Sequence, residues 1–398
     1  MCGIAGAART PDPNTKVKKM LAALAHRGPD SCGIYDGKGL SIGNTLLKIT
    51  GDMPQPLKGL GALVFNGEIF NFRELAAKSG LKTDSDTEVL FSLIETGIKK
   101  GDTALNAVFS ALSAVNGDYA LAYACGRELI LARDPVGVKP LFYNLNKGIY
   151  KQEIVFASEK KALFASEENI EPFPPGGILC FDTQSGRLEE QSLKIEPPKT
   201  RISEEAGAAL RLKAALKKAV ELRLTSDSAI AFSGGIDSTF LAALSKEINP
   251  TISLYAVGLQ GSHDIMQAKK AAEALGMETS LKLHFLSQGE IEATIPNVIH
   301  ATESIDPMKI AIGLPLYIIA KTARKDGKLV LLTGQGADEL FGGYSRHEGF
   351  VEQGTEVLDQ EIYSDLENIS KINLERDDMV TMTNSVELRV PFLDKEVI

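Results

Sequence analysis

The sequence predicts an α/β protein with two domains, one of sheets covered by helices and one built on a parallel sheet. Its 398 residues suffice for two domains of about 200 residues each. Apolar segments are short and strand-like in the first half of the chain. In the second half, strands alternate with helices, and this pattern predicts crossover connections between parallel strands.

The elements of the first half are predicted from short apolar runs and helical periodicity. Helices are expected at residues 17–25 and 87–98, packed on the sheets. The polar stretch 183–205 contains two adjacent prolines and is the expected linker. We therefore expect a first domain over residues 1–190 and a second over residues 206–398. Strands are expected at residues 62–65, 119–124, 129–132, 154–157 and 177–181.

The second half begins with a predicted helix at residues 206–222. Further helices are expected from Ser238, over residues 264–275, and as one long helix ending near Tyr317. The apolar stretch 310–320 is about half as long as a membrane span and predicts a buried helix. The intervening strands are expected at residues 229–232, 252–257, 280–284 and 329–332.

Composition excludes several classes of function. The net charge is −9 and there is no long basic run, so a nucleic acid is not an expected partner. The cysteines are scattered without a C-x-x-C pair, which argues against a disulfide framework or a zinc knuckle. No signal peptide or membrane segment is evident, and a cytoplasmic protein is expected. The cysteines are Cys2, Cys32, Cys125 and Cys180.

A glycine-rich turn in the second half predicts a binding site for a phosphate group. It follows an apolar strand and opens a helix, so its backbone can approach a phosphate and the helix amides favour negative charge. The serine hydroxyls are additional donors, and the aspartate can hold a Mg²⁺ ion. The Walker pattern G-K-S/T is absent. The turn consists of Ser233, Gly234, Gly235, Ile236, Asp237 and Ser238.

Two other acidic segments are expected near this turn. Glu303 and Asp306 are three residues apart and would share one helix face if the stretch is helical. Residues 333–344 contain several glycines and follow a predicted strand. A solvated helix face is the ordinary explanation of an acidic pair, but the carboxyl ends of parallel strands are where such sheets bind ligands.

Cys2 is the candidate nucleophile of the first half. If Met1 is removed, Cys2 carries a free α-amino group with a pKa near about 8, which can act as the general base for the thiol. This arrangement activates a cysteine without a histidine partner. Removal of Met1 is a hypothesis, which N-terminal sequencing would test.

Other polar segments of the first half allow two interpretations. Asn66, Gly67 and Glu68 follow a strand, so they predict either a tight turn or an oxyanion hole made of an amide and a backbone N–H. Ser85 or Asp86 can cap the helix that follows, and a carboxylate there can equally bind a substrate ammonium. The segment His26–Arg27–Gly28–Pro29–Asp30 would by itself be a loop.

Together these motifs resemble those of the glutamine-hydrolysing asparagine synthetases, in family order from Met1 to Asp394. The resemblance implies an N-terminal αββα four-layer Ntn-hydrolase sandwich with glutaminase activity. It also implies a parallel-sheet ATP pyrophosphatase domain, like the adenine nucleotide α-hydrolases. The implied substrates are glutamine, aspartate and ATP, with Mg²⁺ as cofactor, and a homodimer is common in the family.

The resemblance assigns roles to the residues already singled out. In the first domain, Cys2 is the nucleophile, Asn66 and Gly67 form the oxyanion hole, and Glu68 and Asp86 complete the glutamine site. In the second domain, Glu303 assists the attack of ammonia. Asp237 and Asp306 take the magnesium positions. The remaining ATP-binding positions are Ser233, Gly234, Gly235, Ile236, Ser238, Val257, Gly258, Thr333, Gly334 and Asp338.

The sequence departs from the family in three places. The arginine that holds the glutamine α-carboxylate is replaced in the stretch 46–49, and either Lys48 or Arg27 is a candidate substitute. Gln335 stands where an acidic residue is commoner. The family continues well beyond the motif that ends at Asp394, so we expect the chain to be incomplete at its C-terminus.

The implied ligase reaction has two stages, with ammonia passing through a dry, apolar channel between the domains. The glutaminase releases ammonia, and the second domain forms β-aspartyl-AMP, from which ammonia displaces AMP. One alternative is the same architecture acting on another carboxylate, such as a sugar acid, a peptide or a β-lactam precursor. Cys2 argues against the β-lactam branch. The other alternative is a degenerate, non-catalytic paralogue, which the missing arginine favours and the intact 233–238 turn opposes.

Overall fold

The structure is a computed structural model that describes residues 2–147, 152–164, 169–196, 202 and 204–398. The chain forms two compact units, of which the first ends at Ile195 and the second begins at Glu196. Within the residues described, no helix has both the length and the apolar character that crossing a membrane requires.

The first unit contains two antiparallel sheets. In strand order, one sheet is β10 (Glu171–Pro172), β8 (Phe142–Lys147), β9 (Gln152–Ala157), β1 (Cys2–Ala8), β3 (Leu40–Leu46) and β2 (Ser31–Gly37). The other is β12 (Leu188–Ser192), β11 (Gly177–Asp182), β7 (Glu128–Arg133), β6 (Gly117–Cys125), β5 (Ala62–Ile69) and β4 (Leu57–Lys58). The helices are α1 (Pro13–Ala23), α2 (Phe72–Ser79), α3 (Asp86–Lys99) and α4 (Ala104–Ser113).

Strand β5 shows why the layers form. Its side chains alternate between two cores, as the two-residue period of a strand requires. Ala62 and Val64 pack toward the sheet that contains β1, whereas Leu63 and Phe65 pack toward α3 and α4. With α1 on the outer side of β1 and β3, the first unit is an αββα sandwich, as the resemblance implied.

Two local expectations for the first unit are wrong. Residues 66–68 form no turn, because they lie inside β5 and pair with residues 118–120 of β6. The expected linker is partly structured, since β12 pairs with β11 from Ser192 to Leu188. A polar strand at the edge of a sheet has one solvated face, which explains why its composition resembles that of a linker.

The second unit contains a five-stranded parallel sheet in the order β15 (Leu281–Phe285), β14 (Ser253–Gly258), β13 (Ser228–Ala231), β16 (Val330–Leu332) and β17 (Glu387–Arg389). This confirms the predicted parallel sheet. Its helices are α5 (Glu205–Arg223), α6 (Ile236–Ile248), α7 (His263–Ala274), α8 (Gln288–Thr302), α9 (Pro307–Lys325), α10 (Ala337–Phe341), α11 (Ser345–Val351), α12 (Thr355–Ile369) and α13 (Glu375–Met382), the last two joined by a π-helical turn at Ser370–Leu374.

The expected long helix ending near Tyr317 is two helices, so Glu303 and Asp306 do not share a helix face. Glu303 ends α8 in the left-handed region, with φ +53°. Asp306 precedes Pro307, which disfavours a helical conformation at residue 306. The Asp306 carboxylate instead caps α9 by accepting a hydrogen bond from the Met308 N–H at 2.9 Å.

Candidate active site

One cleft in the first unit is lined by several of the residues singled out in the first half, among them Cys2, Gly67, Glu68, Ser85 and Asp86. The cleft encloses about 360 Å³, including the solvent at its mouth. Its walls are the start of β1, the middle of β5, the start of α3 and the segment that follows β3. The lining residues are Cys2, Leu46, Leu47, Lys48, Ile49, Thr50, Gly51, Met53, Gln55, Phe65, Gly67, Glu68, Ser85, Asp86 and Thr87.

Asn66 contacts the backbone of Cys2 and lies between the cleft residues Phe65 and Gly67 in β5. The Cys2 N–H donates a hydrogen bond to Asn66 Oδ1 at 3.1 Å. The Asn66 side chain is buried, and among the described residues its Nδ2 has no hydrogen-bond acceptor. A buried donor without an acceptor destabilises the folded protein by about 1–3 kcal/mol. Such a group needs an explanation, and a donor that waits for a ligand is one. Met1, whose removal is predicted, lies outside the described residues.

Gly67 and Gln55 complete the surroundings of the thiol. A methyl group at Gly67 would lie 2.2 Å from the Asp118 carbonyl oxygen, so the close approach of β6 requires glycine. Gln55 Nε2 lies 4.0 Å from Cys2 Sγ, and Gln55 Oε1 accepts a hydrogen bond from the Phe65 N–H at 2.7 Å. Sequence reasoning did not select Gln55, because nothing local links it to Cys2.

Two buried carboxylates lie at another part of the cleft wall. Asp86 Oδ2 accepts a hydrogen bond from the Ile69 N–H at 3.0 Å, and Asp86 Oδ1 accepts one from the Thr87 N–H at 2.6 Å. Burial and the negative charge of Glu68 raise the pKa of Asp86 to about 8. Two carboxylates in this situation favour a bound cation, and an ammonium group fits their hydrogen-bonding needs.

The segment 26–30 fixes the backbone around Cys2. Arg27 is buried, and its Nε donates to the Cys2 carbonyl at 3.1 Å while its Nη1 donates to Glu159 Oε1 at 2.8 Å. Burial opposes ionisation of Glu159, but Arg27, His26 and Lys161 hold its pKa well below the usual range. Because Arg27 is engaged in this way, it is not suited to bind a substrate carboxylate.

The glycine-rich turn of the second unit lies between β13 and α6. Helix α6 begins after Gly235 and has no side-chain cap at its N-terminus. Within the turn, the Gly235 N–H donates to Ser233 Oγ at 3.2 Å, and the Ser233 and Ser238 hydroxyls are 3.2 Å apart. Gly234 has φ +79°, and a methyl group there would lie 2.7 Å from Ala268 N, so this position requires glycine.

The segment after β16 lies against the same turn. A methyl group at Gly334 would lie 2.9 Å from Asp237 Cβ. Burial and the negative charges of Asp338 and Glu339 raise the pKa of Asp237. A cation would relieve this repulsion, and carboxylate oxygens are the ligands that Mg²⁺ prefers. No group of three His, Cys, Asp or Glu side chains in the described ranges is arranged as a metal site, so such an ion would also need phosphate or water ligands.

Hydrogen bonds from neighbouring side chains hold the segment that follows β16. Glu339 is buried and accepts hydrogen bonds from the Tyr344 hydroxyl at 2.6 Å and Asn373 Nδ2 at 2.9 Å. Gln335 Nε2 donates to Asp377 Oδ2 at 2.6 Å. Burial raises the pKa of Asp377, so an acidic residue at position 335 would add a second buried negative charge. The neutral Gln335 amide avoids this repulsion and donates a hydrogen bond to Asp377 instead.

The remaining predicted residues lie at element ends of the second unit. Thr333 directly follows β16, and Val257 and Gly258 end β14; both strands are direct neighbours of β13. Ser233, Ile236 and Asp306 are exposed, and Glu303 is half-buried. The structure brings the 233–238 turn and the 333–338 segment together, but it places Glu303 and Asp306 on a separate connection between α8 and α9.

Comparisons with known proteins follow the same division of the chain. Residues 1–174 match the glutamine amidotransferase domain, and residues 211–351 and 351–398 match asparagine synthase. Among solved structures, a glutamine phosphoribosylpyrophosphate amidotransferase from B. subtilis covers 84% of this chain with 19% identity and a TM-score of 0.43.

Several curated proteins are similar over most of the chain. A Methanocaldococcus jannaschii protein, named provisionally as asparagine synthetase (glutamine-hydrolyzing) 1, is 36% identical over 95% of this chain and 75% of its own length. Asparagine synthetase (glutamine-hydrolyzing) 1 of Bacillus subtilis is 31% identical over 87% of this chain and 59% of its own length. The Brassica oleracea asparagine synthetase (glutamine-hydrolyzing) is 30% identical, with 69% of its length covered. The chain therefore belongs to the glutamine-hydrolysing asparagine synthetase family.

Proposed function

We propose that the protein is a ligase that makes asparagine from aspartate, glutamine and ATP. The observation that supports this most strongly is the cleft lined by Cys2 and the buried pair Glu68 and Asp86. Asn66 contacts the Cys2 backbone there, and its Nδ2 has no acceptor among the described residues. These groups offer a nucleophile, an oxyanion donor and an ammonium site, which are the three requirements for attack on a free amino acid amide.

In the first stage, the Cys2 thiolate attacks the side-chain carboxamide of glutamine. Asn66 Nδ2 and the Gly67 N–H donate to the developing oxyanion. The α-amine of Cys2, once Met1 is removed, takes the thiol proton and delivers it to the leaving nitrogen, which departs as ammonia. Water then hydrolyses the thioester, and glutamate is released. Asp86 and Glu68 hold the substrate ammonium throughout and so orient the carboxamide toward the thiol.

In the second stage, an aspartate β-carboxylate oxygen attacks the α-phosphorus of ATP and pyrophosphate departs. Amides of the 233–238 turn and of the α6 N-terminus bind the phosphates, Val257 and Gly258 line the adenine, and the 333–338 segment covers the intermediate. A bound Mg²⁺ ion neutralises phosphate charge as it develops; Asp237, with Asp306 or Asp338, would hold it. Ammonia then attacks the acyl carbon with help from Glu303, and AMP leaves.

Cys2→Ala tests the division of labour between the two sites. We expect glutamine-dependent asparagine formation to fall on the order of 10⁴-fold or more, because the covalent route is lost. Ammonia-dependent formation should be unchanged. Cys32→Ala, which removes an exposed thiol, is the control and should retain both activities. Equal loss of both activities in Cys2→Ala, or loss of neither, would contradict the assignment of the nucleophile.

The identity of the activated carboxylate needs its own experiment. Pyrophosphate release should be measured with ATP and Mg²⁺ across a panel that includes aspartate, sugar acids and peptide carboxylates, with ammonia as the nitrogen donor. Aspartate should give the highest kcat/KM. A stronger signal from another carboxylate would transfer the assignment to an amidotransferase of different specificity, and silence across the panel would favour a non-catalytic paralogue.

Two further features of the assembly are part of the proposal. The family resemblance suggests a homodimer, which sedimentation of the purified protein would test. The scattered cysteines, which form no disulfide in the described part of the chain, fit a reducing cytoplasm.

A further inference from the structure

We infer that Lys48 binds the α-carboxylate of glutamine. This inference rests on the proposed glutaminase function and names the residue that replaces the missing family arginine. A free amino acid carries an ammonium group and a carboxylate on one carbon, so a site that selects it needs groups of both charges. The cleft supplies the negative groups at Glu68 and Asp86, and the question is which residue supplies the positive one.

The composition of the cleft wall points to Lys48. Among the residues that line the cleft, all of which the structure describes, Lys48 is the one lysine or arginine. Arg27, the other candidate, is buried and donates to the Cys2 carbonyl and to Glu159. A change of partner at Arg27 would leave Glu159 buried without its strongest counter-charge, which is costly.

The placement of Lys48 relative to Leu46 supports the same conclusion. Leu46 is the last residue of β3 and pairs directly with Cys2 of β1. Lys48 lies two residues further along the chain, and both Leu46 and Lys48 line the cleft. A cation at residue 48 can therefore serve the part of the cleft that an arginine at residue 46 would serve.

The local contacts of Lys48 hold its backbone and leave its side chain able to change partner. The Lys48 N–H donates to Asp30 Oδ2 at 2.8 Å, which ties the cleft wall to the 26–30 segment. Lys48 Nζ pairs with Asp52, and the two side chains are 42% and 77% exposed. An exposed pair of this kind contributes little to stability, so exchange of Asp52 for a substrate carboxylate carries a small penalty.

The test is glutaminase kinetics of the full chain with Lys48→Gln, Lys48→Arg and Asp52→Asn. Lys48→Gln should raise the KM for glutamine by about 10- to 100-fold, the range expected for one lost charge-assisted hydrogen bond, with kcat nearly unchanged. Lys48→Arg should restore most of the affinity. Asp52→Asn should leave KM unchanged or lower it, because it removes the competing carboxylate.

Two controls separate substrate binding from a structural effect. Lys78 forms a comparable exposed pair with Glu74 four residues away and does not line the cleft, so Lys78→Gln should change neither KM nor kcat. The second control is 4-aminobutanamide, which is glutamine without its α-carboxylate, used as a competitive inhibitor. Its inhibition constant should be the same for the unmodified protein and Lys48→Gln.

The outcomes distinguish this inference from the proposed function. Equal KM values for Lys48→Gln and Lys78→Gln would overturn the role of Lys48 while leaving the glutaminase intact. A KM increase in Asp52→Asn as large as that in Lys48→Gln would show that the pair is structural and would also overturn it. Absence of any Cys2-dependent glutamine hydrolysis in the unmodified protein would instead refute the proposed function itself.

Discussion

The two candidate sites of this protein treat the start of a helix in opposite ways. In the first unit, α3 begins beside the cleft and its N-terminus is closed, because Ser85 Oγ accepts a hydrogen bond from the Glu88 N–H at 3.3 Å. In the second unit, α6 begins after Gly235 without a side-chain cap. The first helix carries its own acceptor, whereas the start of the second has no side-chain acceptor among the described residues.

The difference matches the charge of the proposed ligands. At the α3 start the protein places its own carboxylate, Asp86, for which we propose a cationic ammonium group as ligand. At the α6 start no side chain caps the helix, and in the proposed function the amides bind a ligand that brings the negative charge. Burial follows the same division, since Cys2 is 3% exposed and Ile236 is 83% exposed. The proposed glutamine site is therefore buried, whereas the proposed phosphate site is open to solvent.

Gly235→Asp would give α6 the cap that it lacks. Aspartate is a better N-cap than glycine by a few tenths of a kcal/mol, and the backbone at residue 235, φ −67° and ψ 165°, suits it. Stability should therefore be unchanged or slightly higher. Pyrophosphate formation should nevertheless fall on the order of 10²–10³-fold, because the new carboxylate accepts hydrogen bonds from the α6 N–H groups that are proposed to bind phosphate. Thermal melting and an ATP–pyrophosphate assay measure the two effects.

Gly235→Ala is the matched control for this change. A methyl group at residue 235 meets only Ser233 Oγ, at 3.3 Å, so the variant tests the loss of glycine without the added charge. Its activity should stay within about tenfold of the unmodified protein. Normal pyrophosphate formation in Gly235→Asp would show that the uncapped N-terminus of α6 does not bind phosphate. The difference in capping between α3 and α6 would then be unrelated to ligand binding.

Asn66→Ala tests the buried, preformed character of the first site. Loss of one preorganised oxyanion donor should lower the kcat of glutamine hydrolysis by about 10²–10³-fold, with little change in KM. Asn44→Ala is the control, because Asn44 is equally buried in β3 and neither polar atom of its side chain has a partner among the described residues, so it does not bond to Cys2 as Asn66 does. Comparable kcat losses in the two variants would indicate a packing effect and not a catalytic one.

The raised pKa of Asp86, about 8, predicts a proton released when glutamine binds. The ammonium group favours the ionised carboxylate, so binding lowers the pKa of Asp86 and releases its proton. Affinity for glutamine should therefore rise with pH, by at most about tenfold per unit, and level off above pH 8. Calorimetry of Cys2→Ala in buffers of different ionisation enthalpy measures the released proton without turnover. Asp86→Asn should abolish both the release and the pH dependence.

The sequence allowed the motif residues to be selected but not the contacts between them. The parallel sheet followed from the alternation of strands and helices. A cap at Ser85 or Asp86 was expected for α3, and the structure shows that Ser85 is the N-cap. Gln55 and Glu159 were missed because their roles arise from pairing of distant strands. Glu159 follows β9, which pairs with β1 and so brings its carboxylate to Arg27. No local pattern encodes that register.

The turn interpretation of Asn66–Gly67 and the expected long helix through Glu303 and Asp306 fail for different reasons. Asn66–Gly67 is a strong turn signal, but β6 packs so closely on Gly67 that the glycine serves strand pairing instead. At Glu303–Asp306 the signal was present in the sequence, because a proline at residue 307 indicates a helix start. The proline, and not the spacing of the two carboxylates, determines the backbone at residue 306.

The smallest predicted effect concerns the cap of α3. Ser85→Ala should lower the free energy of unfolding by about 1 kcal/mol and raise the KM for glutamine a few-fold, because Ser85 holds the turn that positions Asp86. Thr103 caps α4 in the same way, accepting a hydrogen bond from the Asn106 N–H at 3.2 Å, and lies outside the cleft wall. Thr103→Ala should therefore cost the same stability at unchanged KM. If both variants raise KM equally, the cap of α3 matters only for folding, and the closed helix start is no part of the glutamine site.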